Sequence, residues 1–223
     1  MTDYIFDIET AGHDWESLDK ETQEYFIKRN DGEEKAKDML GLNSITAKVI
    51  VISMLDMQRK EIFTYYENLD NRLFDNEVSR EMEGYKVHYR MGDERYILAS
   101  FWERIAQSKK FVTFNGRGFD CPFILHRSMI HKIKPTRNLM TNRYYKDEHV
   151  DLYDLLTYYN AYKGYSLDMW CRALNVFNSK QGEVKGSEVG AYYREGKIME
   201  IAEYCSRDVI ATKELYDRVR EYI

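Results

Sequence analysis

Two acids near the start, Asp7 and Glu9, stand two residues apart in the run Tyr4-Ile5-Phe6-Asp7-Ile8-Glu9-Thr10. On an extended strand, residues i and i+2 project from one face. Two carboxylates on one face repel each other, and a cation between them relieves the cost. The spacing therefore allows a divalent-metal site; the plainer alternative is a pair of solvated acids on an exposed strand. A third acid, Asp120, follows Asn115-Gly116-Arg117-Gly118-Phe119 and opens a helical pattern. Alone it reads as a helix cap, but the flanking glycines let backbone come close to a ligand or a neighbouring strand. Near the C-terminus, Tyr204 and Asp208 are spaced i, i+4, so a helix puts both on one side. Such a pair by itself is an ordinary helix surface. It gains force only in combination with the other acids.

The elements that must carry these residues follow from periodicity. Residues 4–9 read as a strand, with Tyr4, Phe6 and Ile8 on one side and Ile5, Asp7 and Glu9 on the other. The continuous β-branched run 47–55 reads as a buried strand, and 61–66 as its hairpin partner across a turn at 57–60. Residues 13–43 are charged and helix-compatible around 20–29. Residues 67–93 are polar and read as a long loop or excursion. Apolar residues at helical spacing mark 95–107, and 110–114 is a short strand. A helix is expected over 119–130, with Pro122 tolerated in its first turn. Residues 149–159 and 166–175 are apolar-periodic, with Ser166 placed to cap the second. A final helix is expected over 198–222. This order gives an α/β fold with a mixed sheet.

The whole chain bounds the possibilities. It has 223 residues, with 33 Lys and Arg against 38 Asp and Glu, a formal charge of −5. That excludes a histone-like protein that binds by bulk charge, but not an enzyme with a local basic surface. At 43% apolar and 14% aromatic, the composition is that of a folded chain. The longest apolar run, 49–55, contains Ser53 and falls far short of the roughly 20 residues of a membrane span. The first residues show neither a basic nor an apolar leader segment, so no signal peptide is expected. Three cysteines (Cys121, Cys171, Cys205) fit a reducing, cytoplasmic setting. With only Pro122 and Pro135 and no Gly/Ser-rich linker, a single domain over 1–223 is expected.

The three acidic segments resemble the motifs of the DEDD superfamily of 3′–5′ exonucleases. Phe6-Asp7-Ile8-Glu9-Thr10 resembles the first. Asn115 to Asp120 resembles the second, in the form used by proofreading domains of family-B DNA polymerases. Tyr204-Cys205-Ser206-Arg207-Asp208 resembles the third in its tyrosine version. Residues 151–156, and Gly182 leading into Val189 and Tyr192, are similar to the stand-alone polymerase-B-like members. The resemblance implies a ribonuclease-H-like fold with a central five-stranded mixed sheet flanked by helices. It implies that Asp7, Glu9, Asp120 and Asp208 hold two divalent ions, Mg²⁺ or Mn²⁺, for phosphodiester hydrolysis. Tyr204 would contact the attacking water; with an ordinary pKa of roughly 10 it is a poor base and is expected to orient.

Thr10, Asn115, Arg117 and Phe119 complete the expected set as substrate contacts. Phe119 serves equally as a core residue, and Arg117 as a salt-bridge partner. Between 126 and 146 lie Arg127, Lys132, Lys134, Arg137, Arg143 and Lys146 without an intervening acid, and Tyr144 and Tyr145 sit among them. The stretch reads either as a phosphate-tracking wall with stacking faces or as a solvated loop. Asp151 and Asp154 either face the site or solvate a helix. The expected partner is a single-stranded 3′ end, DNA ahead of RNA, with no membrane and with any polymerase or repair partner supplied in trans. The alternatives are an exoribonuclease and an inactive binding or scaffolding module of the same fold.

Overall fold

The computed structural model describes residues 2–69, 77–177, 184 and 186–222. Its centre is β1 (Thr2–Gly12), antiparallel to β2 (Ala47–Asp56), which pairs in turn with β3 (Glu61–Glu67). On the other side of β1 lie two parallel neighbours, β6 (Ser108–Thr113) and then β7 (His149–Asp151). Four of these five are the strands read from the sequence, and β7 falls in the stretch 149–159, which does not read as a strand in the sequence. Two more, β4 (Val78–Met82) and β5 (Tyr85–Gly92), extend the sheet beyond β3 to the order β4-β5-β3-β2-β1-β6-β7. The sheet thus has seven strands, and part of the region read as a long loop is a hairpin. Its turn residues Glu83 and Gly84 have φ of 50° and 79°, the paired left-handed geometry of a two-residue hairpin turn. β4 is almost wholly exposed, so it carries no alternation of apolar and polar residues to betray it.

The two faces of the sheet are covered by different helices. α3 (Glu94–Ile105) and α4 (Asp120–Ile130) bury one face against Tyr4, Phe6, Ile8, Ile52 and Met54. α8 (Ile198–Val219) buries the other against Ile5, Val51, Leu55 and Ile62. The alternation expected for residues 4–9 is therefore the observed one. It turns Asp7 and Glu9 toward α8. Capping fixes where the helices start: Asp93 accepts the Tyr96 N–H at 2.7 Å. The stretch 149–159 is not one helix: it divides into β7 and α5 (Leu152–Leu156). Ser166 caps α6 (Leu167–Leu174), as its position predicts. Between β1 and β2, α1 (Lys20–Arg29) and α2 (Glu33–Met39) close a small cluster of Trp15, Phe26, Ala36 and Leu40. α7 (Val189–Arg194) precedes α8. Among the described residues no helix is long and apolar enough to cross a membrane.

Candidate active site

The site is built where β1, the start of α4 and the middle of α8 meet. Along β1, Glu9 pairs with Val51 and Thr10 with Val49, so Ile50 is an extra residue on β2 and the strand carries a bulge beside its acids. Asp7 and Glu9 are each half-buried on the α8 face. Asp120, buried at the first turn of α4, accepts the Ile8 N–H through Oδ1 at 3.2 Å, which pins its carboxylate to the backbone between the other two acids. From α8 come Tyr204 and Asp208, both buried, with the phenol hydrogen-bonded to the Asp208 carboxylate. Between them Cys205 places Sγ 3.5 Å from the Asp7 carbonyl and 3.6 Å from its Oδ2. One donor atom each of Asp7, Glu9 and Cys205 lies within 4.8 Å of the others. The structure thus brings Asp7, Glu9, Asp120, Tyr204 and Asp208 together from three distant segments.

Electrostatics shows the cost of that convergence. Burial, then the charges of Asp120, Asp208 and Glu9, push the Asp7 carboxyl well above the usual carboxylate range. Burial, then Asp208 and Asp120, do the same to Glu9. Asp120 is raised to about 7 by burial and by the neighbouring Asp151 and Asp208. Mutual repulsion of desolvated carboxylates favours proton uptake, and a bound cation would relieve it. The oxygen donors fit a hard divalent ion such as Mg²⁺ or Mn²⁺. Cys205 is the softer neighbour, but burial and the adjacent Asp7 push its thiol well up, so it stays an S–H donor. Burial and the adjacent Asp208 likewise push the Tyr204 phenol far above its ordinary range, so it remains protonated at neutral pH.

An open cleft of about 480 Å³ leads to these acids. Asp7 and Asp120 line it together with Phe114, Asn115, Phe119, Tyr153 and residues 164–167. Asn115 takes a left-handed φ of 61°, and a Cβ at Gly118 would stand 2.6 Å from Asn115 Oδ1. The glycine therefore leaves room for the Asn115 amide. The loop is clamped from beneath by Asp151, whose Oδ1 accepts the Asn115 and Tyr153 N–H groups at 2.9 and 3.0 Å and whose Oδ2 accepts that of Arg117 at 2.8 Å.

Two expected substrate contacts are turned elsewhere. The Thr10 hydroxyl donates to the Gly41 carbonyl at 2.6 Å. The Arg117 guanidinium donates to the Thr141 carbonyl at 2.7 Å, and its Nε lies 3.7 Å from Asp154. Neither lines the cleft, whereas Asn115 and Phe119 do. The basic stretch is not a continuous wall. Arg127 is buried on Glu94, Arg137 donates to the Ser108 and Lys109 carbonyls, and Arg143 is paired with Asp154. Lys132 and Lys134 follow the far end of α4, about 15 Å along its axis from Asp120. Asp154 accepts Arg143 rather than solvating a helix, and Asp151 holds the loop. Of the other cleft residues, Tyr153 lies in the segment 151–156 noted in the sequence, whereas Phe114, Gly164, Tyr165 and Leu167 are not among the expected site residues. Gly182 lies outside the described residues.

Residues 42–222 match the family of predicted 3′–5′ exonucleases related to the exonuclease domain of PolB. The chain belongs to this family. The matched stretch carries Asp120, Tyr204 and Asp208, while Asp7 and Glu9 precede it. In fold, this predicted exonuclease is similar to the family B DNA polymerase of the hyperthermophilic archaeon Pyrobaculum calidifontis, with a TM-score of 0.59 and 17% identity. That similarity covers 98% of the exonuclease chain and 24% of the polymerase. At such identity it establishes the fold, a ribonuclease-H-like mixed sheet flanked by helices. No curated protein matches the chain.

Proposed function

We propose that this nuclease removes nucleotides one at a time from the 3′ end of single-stranded nucleic acid, DNA in preference to RNA. Residues 1–223 then act as a single exonuclease domain. The observation that carries the reading is the convergence of Asp7, Glu9, Asp120 and Asp208 at one end of an open cleft. These four would hold two Mg²⁺ or Mn²⁺ ions, which supply water activation and neutralise charge gathering on the phosphate and the departing 3′ oxygen.

The chain's own residues do the rest. Water adds to phosphorus, the P–O3′ bond breaks, a proton of the water ends on the departing 3′ oxygen, and a nucleoside 5′-monophosphate leaves. Tyr204 cannot take the water's proton, because its phenol is neutral and its pKa is raised; it donates to Asp208 and orients what lies beside it. Asn115 and Phe119 meet the terminal nucleotide, one through its amide and the other through its ring. Asp151 and Arg117 position the loop that carries Asn115. The preference for DNA is supported by the fold shared with a DNA polymerase and by the second motif.

The test is digestion of 5′-labelled single-stranded DNA and RNA with Mg²⁺, Mn²⁺ or EDTA, alongside Asp7→Ala and Asp208→Ala. Stepwise shortening that requires the metal and both acids is expected. Cleavage that survives EDTA and both substitutions would refute the site.

A further inference from the structure

Several tyrosines are exposed beside the cleft and take no part in the chemistry above. Tyr165 and Tyr153 line the cleft itself, and Gly164 lets them do so: a Cβ there would stand 1.9 Å from the Tyr153 hydroxyl. Immediately after Tyr153, Asp154 accepts the Arg143 guanidinium, and its carbonyl accepts the Tyr159 N–H at 2.7 Å. Arg143 lies over the Tyr159 ring at 5.9 Å, and the next residue, Tyr144, sets its ring 4.8 Å from that of Tyr159. A single anchor, one residue on from the cleft-lining Tyr153, thus holds a pair of aromatic rings.

Two features distinguish this pair from incidental surface tyrosines. First, the loop that carries Tyr144 is built rather than loose. Asn142 accepts the Tyr144 N–H through its side chain and the Tyr145 N–H through its carbonyl, and Thr141 is held by Arg117. Second, Tyr158, Tyr159 and Asn160 all have left-handed φ, of 49°, 59° and 71°. Residues with side chains seldom adopt that conformation, and runs of it persist only where the surroundings enforce it. The outcome is a fixed Tyr144 that remains 67% exposed.

We infer that Tyr144, backed by Tyr159 and Arg143, is a stacking platform for an unpaired base upstream of the 3′-terminal nucleotide. The inference rests on the exonuclease reading and names where its single strand runs. Every base has a π face, so stacking holds a strand without reading its sequence. A preordered ring forgoes little freedom when a base lands on it. Because Arg143 is already paired with Asp154, the platform works by stacking more than by charge.

The experiment compares KM for hydrolysis of a dinucleotide and of a single-stranded dodecamer in Mg²⁺. Affinity for the fluorescein-labelled dodecamer is measured in EDTA by anisotropy. In the wild type KM should fall with length. Tyr144→Ala should raise the dodecamer KM and Kd about 5- to 150-fold, the range of one lost stack, and so remove most of the length dependence. Tyr144→Trp should restore it, which separates stacking from folding and from the hydroxyl. Tyr25→Ala, at another exposed tyrosine, on α1, should leave it intact. If Tyr144→Ala keeps the wild-type length dependence, or Tyr144→Trp fails to restore it, the platform is wrong while the exonuclease reading stands. If the wild type hydrolyses neither substrate, the exonuclease reading falls and the platform falls with it.

Discussion

Replacing Asp120 by Asn should stabilise the metal-free protein while abolishing its activity. The amide keeps the shape of the carboxylate and can still accept the Ile8 N–H. What it removes is a charge forced into a buried acidic cluster. Asp120 titrates at about 7 instead of 3.8, so the folded state binds more protons than the unfolded state between those values. Stability is therefore lost as pH rises from the unfolded value through the folded one. At pH 8 the whole cost is present, about 4 kcal/mol at about 1.4 kcal/mol per tenfold. At pH 5 it is about 2 kcal/mol, and below the unfolded value it vanishes.

For a chain of this size, 1 kcal/mol moves Tm by about 2–4 °C. Calorimetry in EDTA should therefore find Asp120→Asn melting about 8–16 °C above the wild type at pH 8 and about 4–8 °C above it at pH 5. The difference is the proper readout, because His149, held neutral by burial with its pKa lowered to about 3, destabilises both proteins alike in acid. Saturating Mg²⁺ should raise the wild type more than the variant and narrow the gap. A gap that is absent in EDTA, or that does not change with pH, would refute the claim that these acids form a desolvated cluster awaiting a cation.

The other predictions probe the supports of the site. Asp151→Asn keeps two of the three clamped N–H groups but turns its amide on that of Arg117. In Mg²⁺ it should lower Tm by about 4–12 °C, from about 2–3 kcal/mol for a lost charge-assisted bond and an unpaired donor, with kcat falling too; an unchanged melt would remove the clamp. Gly118→Ala has no backbone strain to contend with, but its Cβ meets Asn115 Oδ1, so KM should rise about fivefold, the factor for roughly 1 kcal/mol, while Tm is little altered. Tyr204→Phe should reduce turnover with Mg²⁺ affinity by calorimetric titration unchanged; retained turnover would show that the hydroxyl orients nothing. Glu94→Gln leaves the buried Arg127 half-paired between α3, α4 and β2, and should cost about 3–5 kcal/mol in denaturant unfolding.

Much of the site was legible because its residues follow local rules. Strand alternation alone sends Asp7 and Glu9 to one side, helix spacing alone aligns Tyr204 with Asp208, and the glycine loop before Asp120 marks a close approach. Nothing local says that these segments meet. That rests on β1 lying inside the sheet between β2 and β6, where β6 delivers the loop that opens α4 and α8 crosses the face that carries Asp7 and Glu9. The β4–β5 hairpin was hidden because an exposed edge strand has no core face to impose a pattern, although Glu83-Gly84 was a readable turn. The extra Ile50 opposite Glu9 and Thr10 was hidden too, since a bulge is a property of the pair and not of either strand.

The basic stretch shows the opposite failure, in which a conspicuous pattern misleads. Arg127, Arg137 and Arg143 look like phosphate contacts in sequence because their partners lie 11 to 33 residues away, on Glu94, on the start of β6, and on Asp154. Charge along a chain indicates a binding surface only where nothing nearby in space neutralises it. On the proposed platform the strand-facing element is instead the aromatic one. The same ion pair that occupies Arg143 also sets it over the Tyr159 ring that packs on Tyr144, so in that proposal the arginine would act on the strand by holding a ring rather than by meeting a charge.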